Sequence, residues 1–364
     1  MPLSPTTLAR IDGATQALAG KFTPRMLAES VGSLSRVYTR ERGQLGQLDS
    51  GSLLARAGFF FARDLVKPFG PLDELHAAGV LPAGDTLRVL DLGAGMGATS
   101  FGLARWLRIR SLPVKQLTVV ALEQNAAALR GFAAFGKALR DVDELVPIEL
   151  DARAEDLRTL RGERGFQLVL FGFVLNELFA DAPDRVARRA QLVRDAYDML
   201  TPDGALLILE PALKETTREL MQLRDALSDL PIVAPCLHDQ GCPMLANERD
   251  WCHQELPYAL PPALADVARA ASLRFEGLLY SSLVLSRQPV TRDPGLWRVV
   301  SDRLETKGKL ELYGCGRGEY VRFTQLNRKA SPANHAFTEA RRGDVLRIEG
   351  DGARIEAETN VSRG

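Results

Sequence analysis

Apolar residues recur at helical intervals through Ala55-Arg56-Ala57-Gly58-Phe59-Phe60-Phe61-Ala62-Arg63-Asp64-Leu65-Val66, predicting an amphipathic helix that Pro68 ends. Similar spacing makes most of residues 8–78 helical, with a break at residues 43–52, which are rich in Gly, Gln and Ser. Pro82-Ala83-Gly84-Asp85 separates this region from a different rhythm. Short apolar runs at 87–92, 116–122, 146–150, 166–171 and 205–209 predict buried strands, alternating with helical periodicity at 98–107, 126–139 and 184–200. Runs that are apolar on both faces suit a parallel sheet covered by helices, so the expected fold class is α/β. Thr201-Pro202-Asp203-Gly204 predicts a turn into the fifth strand, and residues 272–286 predict a further pair of strands completing the sheet after an interruption.

From Trp297 onward the pattern shortens to alternating segments such as Lys309-Leu310-Glu311-Leu312-Tyr313 and Glu319-Tyr320-Val321-Arg322-Phe323, joined by the glycines of 314–318. The expected organisation is a helical domain at 1–82, an α/β domain at 83–290 with a cysteine-rich insertion at about 231–256, a small β-rich domain at 291–350, and a frayed tail at 351–364.

Composition narrows the setting. Lys plus Arg equals Asp plus Glu, 46 each, so bulk charge offers no attraction for nucleic acid and any such contact needs a local basic face. No run approaches the roughly 18 apolar residues of a membrane span. The amino terminus carries Pro2, Pro5, Arg10 and Asp12 in place of a signal-peptide apolar region. A cytoplasmic monomer with no membrane contact is expected, and reduced cysteines there point to metal binding before disulfides.

Asp91-Leu92-Gly93-Ala94-Gly95-Met96-Gly97 follows a predicted strand and opens a predicted helix, the context in which a glycine run lets backbone approach a ligand closely. One strand later, Glu123 stands where a carboxylate accepts hydrogen bonds from both ribose hydroxyls, which fits an adenosine-containing cofactor. Dinucleotide enzymes space their glycines as Gly-x-Gly-x-x-Gly. This loop instead resembles class I S-adenosylmethionine-dependent methyltransferases, with their Rossmann-like fold. That resemblance implies that Asp91, Gly93, Ala94, Gly95 and Gly97 pack on the methionine part of the cofactor and that Glu123 and Gln124 hold the ribose. It also implies that Asp151 and Ala152 flank the adenine and that Phe171 borders the site. After the fourth strand, Asn176 and Glu177 are candidate catalytic residues that orient a substrate nitrogen or oxygen, a role balanced against helix-start hydrogen bonding. Glu210-Pro211 has the same ambiguity. Neither an Asn-Pro-Pro-Tyr-like turn nor a cysteine nucleophile marks the acceptor, so the residues leave catalysis itself open.

Three of the four cysteines, Cys236, Cys242 and Cys252, fall in one short segment, and Cys315 stands downstream. Four thiolates suit a structural zinc ion or an iron-sulfur cluster, and their spacing does not separate the two. His238 and His253 leave a mixed cysteine-histidine zinc site open.

Taken together, Asp91 to Gly97, Asn176-Glu177-Leu178, Glu210-Pro211, the Pro235-Cys236-x-His238 to Cys242-Pro243 run and Asp250-Trp251-Cys252-His253 resemble one family. It comprises the methyltransferase-like proteins of the mitochondrial small ribosomal subunit and their bacterial relatives. The resemblance spans most of the chain. It implies a 4Fe-4S cluster on Cys236, Cys242, Cys252 and Cys315, folding coupled to cluster loading, and work on or with the small ribosomal subunit, by rRNA methylation or assembly. The alternatives are a noncatalytic assembly factor, and a small-molecule or protein methyltransferase with a structural zinc. Arg317, Arg322, Arg328, Lys329, Arg341 and Arg342, interleaved with Tyr320 and Phe323, form a candidate RNA-facing surface, and residues 36–42 add a second basic candidate.

Overall fold

The structure is a computed structural model that describes residues 2–40, 50–350 and 352–364. Most of the basic stretch at 36–42 and the break at 43–52 therefore lies outside the described side chains. The chain begins with α1 (Pro5–Ala19), capped by Ser4 accepting from the Thr7 amide, and α2 (Pro24–Arg40). The helix expected through 55–66 is divided. Helix α3 (Ser50–Ala55) runs into a π turn at Arg56–Phe60, then α4 (Phe61–Asp64) and α5 (Phe69–Ala77).

The α/β region alternates as the apolar runs predict: β1 (Thr86–Leu92), α6 (Ala98–Ile109), β2 (Gln116–Leu122), α7 (Ala126–Ala138), β3 (Ile148–Arg153), β4 (Phe166–Gly172), α8 (Arg185–Tyr197), β5 (Leu200–Glu210) and α9 (Lys214–Ala226). Short strands β6 (Ile232–Ala234) and β7 (Gln254–Ala259) follow, then α10 (Pro262–Ala270) and the long β8 (Glu276–Ser286). The sheet order is β3-β2-β1-β4-β5-β8-β6, with β7 also on β8. Strands β1 to β5 are parallel, and β8 runs antiparallel to β5. Residues 272–286 thus supply one strand, not two. The Thr201-Pro202-Asp203-Gly204 sequence stays within β5, where the register with β4 shifts between Phe166 and Leu168.

Alternation within each strand fills two cores. Leu87 and Val89 of β1 and Leu117 and Val119 of β2 join the N-terminal helices, α6 and α7 on one face. Leu90, Leu92, Val120 and Leu122 join α8 and α9 on the other. Covering both faces explains why the strands read as continuous apolar runs.

The cysteine-rich segment leaves and re-enters the sheet along a single strand. Ala234 of β6 lies opposite Val284, and Gln254 of β7 lies opposite Tyr280, so β6 and β7 follow one another along the edge of β8. The last region builds a second sheet from β9 (Leu296–Val299), β10 (Leu304–Thr306), β11 (Lys309–Gly316), β12 (Glu319–Leu326), β13 (Val345–Ile348), β14 (Arg354–Ile355) and β15 (Val361–Arg363). Its order is β14-β12-β11-β9-β13-β15, with β10 on β11 and α11 (His335–Glu339) packed alongside. Trp297, Leu312, Phe323 and Phe337 form its core. The final residues 361–363 pair with β13, so the tail expected to fray is hydrogen-bonded into this sheet. Among the described residues, no helix is long and apolar enough to cross a membrane.

Candidate functional site

A cavity of about 370 Å³ opens at the carboxyl ends of β1, β2, β4 and β5, where open α/β sheets bind ligands. Gly93, Ala94 and Gly95 line one wall, Glu123 stands beside them, and Asn176 and Glu177 come from the loop after β4. The three loop glycines all have positive φ, 69° at Gly93, 54° at Gly95 and 84° at Gly97, but for different reasons. A Cβ at Gly93 would meet Val174 at 2.3 Å, and one at Gly97 would meet Phe132 at 2.5 Å. At Gly95 a Cβ would meet nothing within 4 Å among the described residues, so this residue presents bare backbone to the cavity.

The Glu123 carboxylate ties two loops together. It accepts from the Gly95 amide at 3.1 Å and from the Asn125 amide at 2.8 Å, while Asn125 caps α7 by accepting from the amides of Ala127 and Ala128. Asp91 is buried below the loop, where one oxygen accepts from the Ser100 hydroxyl at 2.6 Å and the other has no partner among the described residues. Burial, aided by Glu123 and opposed by the Ser100 hydrogen bond, pushes its carboxyl up to about 7. Burial likewise raises Glu177 to about 7 and Glu210 to about 8, with Arg56 opposing the first shift and Arg189 the second. Glu210 accepts from the Asn176 amide at 3.3 Å. Its other oxygen and the Asn176 side-chain oxygen are both buried without partners among the described residues.

The opposite wall is the N-terminal region, which sequence periodicity alone did not assign to the site. Tyr38, Arg56, Phe60, Phe61, Arg63 and Lys67 line it. Lys67 is buried, pairs with Asp64 at 2.8 Å, and sits 4.5 Å from the centre of the Phe173 ring. Its ammonium is lowered to about 8 by burial, partly offset by Asp64. The alternating aromatic and basic residues of 56–67 are the signal that could have marked this wall.

Other sequence-expected positions do not line the cavity. Asp91 and Gly97 lie behind the loop, Gln124 is exposed, and Phe171 is fully buried. Asp151 and Ala152 lie exposed on β3, Asp151 pairing with Arg153 at 2.6 Å.

Cys236, Cys242, Cys252 and Cys315 line one small cavity of about 40 Å³ with Arg224 and His238. Among the described residues, no three His, Cys, Asp or Glu side chains come together as a single metal ion requires. All four thiols are raised by burial, Cys242 to about 11 and Cys252 to about 12. The other cysteines add to the rise at Cys242, Cys252 and Cys315. Arg224 opposes the rise at Cys236, and Arg298 opposes it at Cys236, Cys252 and Cys315. The His238 Nε2 lies 3.7 Å from the Cys315 sulfur, while its Nδ1 and the Nε of Arg224 are buried without hydrogen-bond partners among the described residues. Four thiols around a cavity that also holds the His238 ring and the buried Arg224 guanidinium, an obligate donor, match the needs of an anionic thiolate-bound group. His253 does not line this cavity; its ring stacks on Trp251.

Several members of the proposed RNA-facing cluster already have internal partners. Arg317 bonds the Pro294 carbonyl, Arg322 pairs with Glu311 at 2.7 Å, Lys329 with Glu356 at 2.9 Å, and Arg342 with Asp302 at 3.2 Å.

A glycine loop over a cavity, a carboxylate after the second strand lining it, and five parallel strands followed by an antiparallel one beside the fifth define the class I methyltransferase-like fold. The family model described as mitochondrial small ribosomal subunit Rsm22 matches residues 85–347, and the chain belongs to that family. No curated protein matches it in sequence. Among solved structures, it is similar to a putative class I S-adenosylmethionine-dependent methyltransferase from Listeria monocytogenes. That alignment has 12% identity, covers 79% of this chain and 89% of that chain, and has a TM-score of 0.40. It is also similar to N-methyltransferase NodS from Bradyrhizobium japonicum in complex with S-adenosyl-L-homocysteine, at 16% identity over 62% and 96% of the two chains and a TM-score of 0.34. An S-adenosylmethionine-dependent O-methyltransferase from Thermotoga maritima matches at 14% identity over 61% and 66% of the two chains, with a TM-score of 0.34.

Proposed function

We propose that the chain binds S-adenosylmethionine in the cavity at the end of the parallel strands, holds a 4Fe-4S cluster on Cys236, Cys242, Cys252 and Cys315, and acts on or with the small ribosomal subunit. The observation that carries the reading is the convergence of Gly93, Ala94, Gly95 and Glu123 on one cavity that Asn176 and Glu177 also line. S-adenosylmethionine, when bound, supplies an electrophilic methyl group. Gly95 offers backbone without a side chain, Glu123 offers acceptors to ribose hydroxyls, and Asn176 and Glu177 face the acceptor. Glu177, whose carboxyl titrates near neutrality, is placed to take the proton that an amine or hydroxyl gives up on methylation. The cluster part of the reading is supported by the shared cysteine cavity and the buried Arg224 guanidinium beside it, and the ribosomal part by family membership.

The test is a single anaerobic preparation divided three ways. S-adenosylhomocysteine titrated by calorimetry is expected to bind with one site per chain, and absence of heat overturns the cofactor reading. Iron and acid-labile sulfide near four each per chain support the cluster, whereas stoichiometric zinc without sulfide replaces it with the zinc alternative. Co-sedimentation with small subunits, followed by a search for methylated rRNA, separates an rRNA methyltransferase from a noncatalytic assembly factor.

A further inference from the structure

The cysteine segment is held by protein contacts that owe nothing to a metal. Four arginines outside residues 235–253 donate to its backbone carbonyls. From α9, Arg218 bonds the carbonyls of Asn247 at 2.8 Å and Asp250 at 2.7 Å. One turn and a half later, Arg224 bonds those of His238 at 2.8 Å and Gln240. Arg292 takes Cys236 at 3.1 Å and pairs with Asp239 at 2.6 Å. Arg298 of β9 takes Pro235 at 2.6 Å. Amides that precede or carry the thiols are fixed too: Cys242 donates to both oxygens of Asp225, at 3.0 and 3.1 Å, and Cys252 to the sulfur of Met221 at 3.4 Å. Met221, Met244 and Val300 form a small buried core under Cys242, Cys252, Cys315, Trp251, Tyr313 and Tyr320.

Two of the guanidinium groups are nearly inaccessible, with side-chain exposures of 3% at Arg224 and 6% at Arg298. Buried cations are costly, and each is matched by one carboxylate, Asp225 and Glu74 respectively. Both also face thiols that become negative only as thiolates, so the brace supplies counter-charge where a four-thiolate group would need it.

Resting on the cluster reading above, we propose that this arginine brace folds the cysteine segment into its ligand-ready shape before any cluster arrives. Arg224 and Arg298 are then positioning residues, and the cluster is assembled into, or delivered to, a finished chain. This is the reverse of a zinc-finger-like site, in which binding energy is folding energy. The brace determines whether the four sulfurs stay within reach of one another, and the cluster adds stability without specifying the path of the loop.

The experiment compares hydrogen exchange of residues 235–253 in the anaerobically purified protein, in the same protein stripped with chelator and oxidant and then re-reduced, and in Cys236→Ser and Arg224→Met variants. Stripped protein and Cys236→Ser are expected to keep amide protection at Cys242 and Cys252 within about tenfold of the loaded protein. Ferrous iron and sulfide are expected to restore the visible spectrum of the stripped protein without any denaturant step. Arg224→Met is expected to lose protection across the segment by about 100-fold or more and to retain little iron although all four cysteines remain. Free exchange of the segment in stripped protein that had held iron and sulfide overturns the proposal and leaves the cluster reading standing. Arg224→Met that keeps both protection and iron also overturns it. A protected segment in a chain that takes up no iron or sulfide under any of these conditions overturns the cluster reading itself, and the loading order with it.

Discussion

The guanidinium of Arg298, on the first strand of the C-terminal sheet, bonds the carboxylate of Glu74, on α5 of the N-terminal region, 224 residues earlier. The same side chain also holds the Pro235 carbonyl at the mouth of the cysteine segment and the Gly343 carbonyl at 2.9 Å, so three distant stretches share one buried cation.

Arg298→Met is accordingly expected to destabilise the chain by about 3 kcal/mol, because it leaves Glu74 unpaired and orphans two carbonyls. Glu74 keeps 30% of its side-chain surface, which holds the loss to the lower part of the range for broken buried pairs. Urea denaturation of Arg298→Met, Glu74→Gln and the double variant checks this. The double variant should lose less than the two single losses added together, and strict additivity would refute the coupling.

Gly93 and Gly95 should behave differently despite similar φ. Gly93→Ala combines left-handed strain with a collision against Val174, and about 2–4 kcal/mol of stability should be lost. Gly95→Ala carries the strain alone, about 1 kcal/mol, but puts a methyl group into the cavity. Thermal melts should therefore rank Gly93→Ala as the less stable, while calorimetry with S-adenosylhomocysteine should show weakened binding in the still-folded Gly95→Ala. Unchanged affinity in Gly95→Ala would remove the loop from the cofactor site.

Glu123→Ala tests the carboxylate directly. Losing charge-assisted hydrogen bonds to a ribose and the anchor for the Gly95 amide should weaken S-adenosylhomocysteine binding by about 10- to 100-fold. Affinity within twofold of the parent would exclude Glu123 as a ribose ligand.

Raised carboxyls make stability pH-dependent with a definite sign. Glu210 titrates near 4.5 when unfolded and near 8 when folded, so between those values the folded chain binds the extra proton. Its contribution is complete below about pH 4.5 and is lost as pH rises through 8, with Asp91 and Glu177 adding the same slope up to about 7. Glu210→Gln mimics the protonated acid. Urea midpoints from pH 5.5 to 8.5 should fall less steeply in Glu210→Gln than in the parent, at most by about 1.4 kcal/mol per pH unit for the single group. Parallel slopes would show that Glu210 does not titrate in this window.

Much of the α/β frame could be read from the chain because its strands are buried on both faces, which leaves unbroken apolar runs such as Leu168-Val169-Leu170-Phe171. The glycine loop was visible for the same local reason: each left-handed turn demands glycine where it occurs. What escaped depends on contacts far apart in sequence. Arg56 sits in the π turn at Arg56–Phe60 and Lys67 in the turn between α4 and α5, so their facing the cavity depends on a break in the helix and on tertiary packing that periodicity does not encode. Arg218, Arg224, Arg292 and Arg298 look like ordinary charges until the carbonyls of 235–253 come to them. Conversely, the basic C-terminal cluster looked available in sequence, and ion pairs such as Arg322 with Glu311 have taken up much of it.

The collinearity of β6 and β7 along β8 bears on how such a chain could have arisen. A segment that leaves the edge opposite Val284 and returns opposite Tyr280 is topologically an enlarged bulge, spanning roughly 13 Å of its partner strand. One insertion event in an ordinary edge strand would introduce three of the four cysteines without altering the strand order, and a deletion would remove them as cleanly. Cys315 lies outside that event, on β11 of the other sheet, so a complete four-thiol set requires the insertion and the C-terminal sheet to occur in the same chain. Relatives that lack the segment should therefore keep an intact α/β scaffold of seven strands, with β6 and β7 joined into one edge strand, and their counterpart of Cys315 would be free to become another residue.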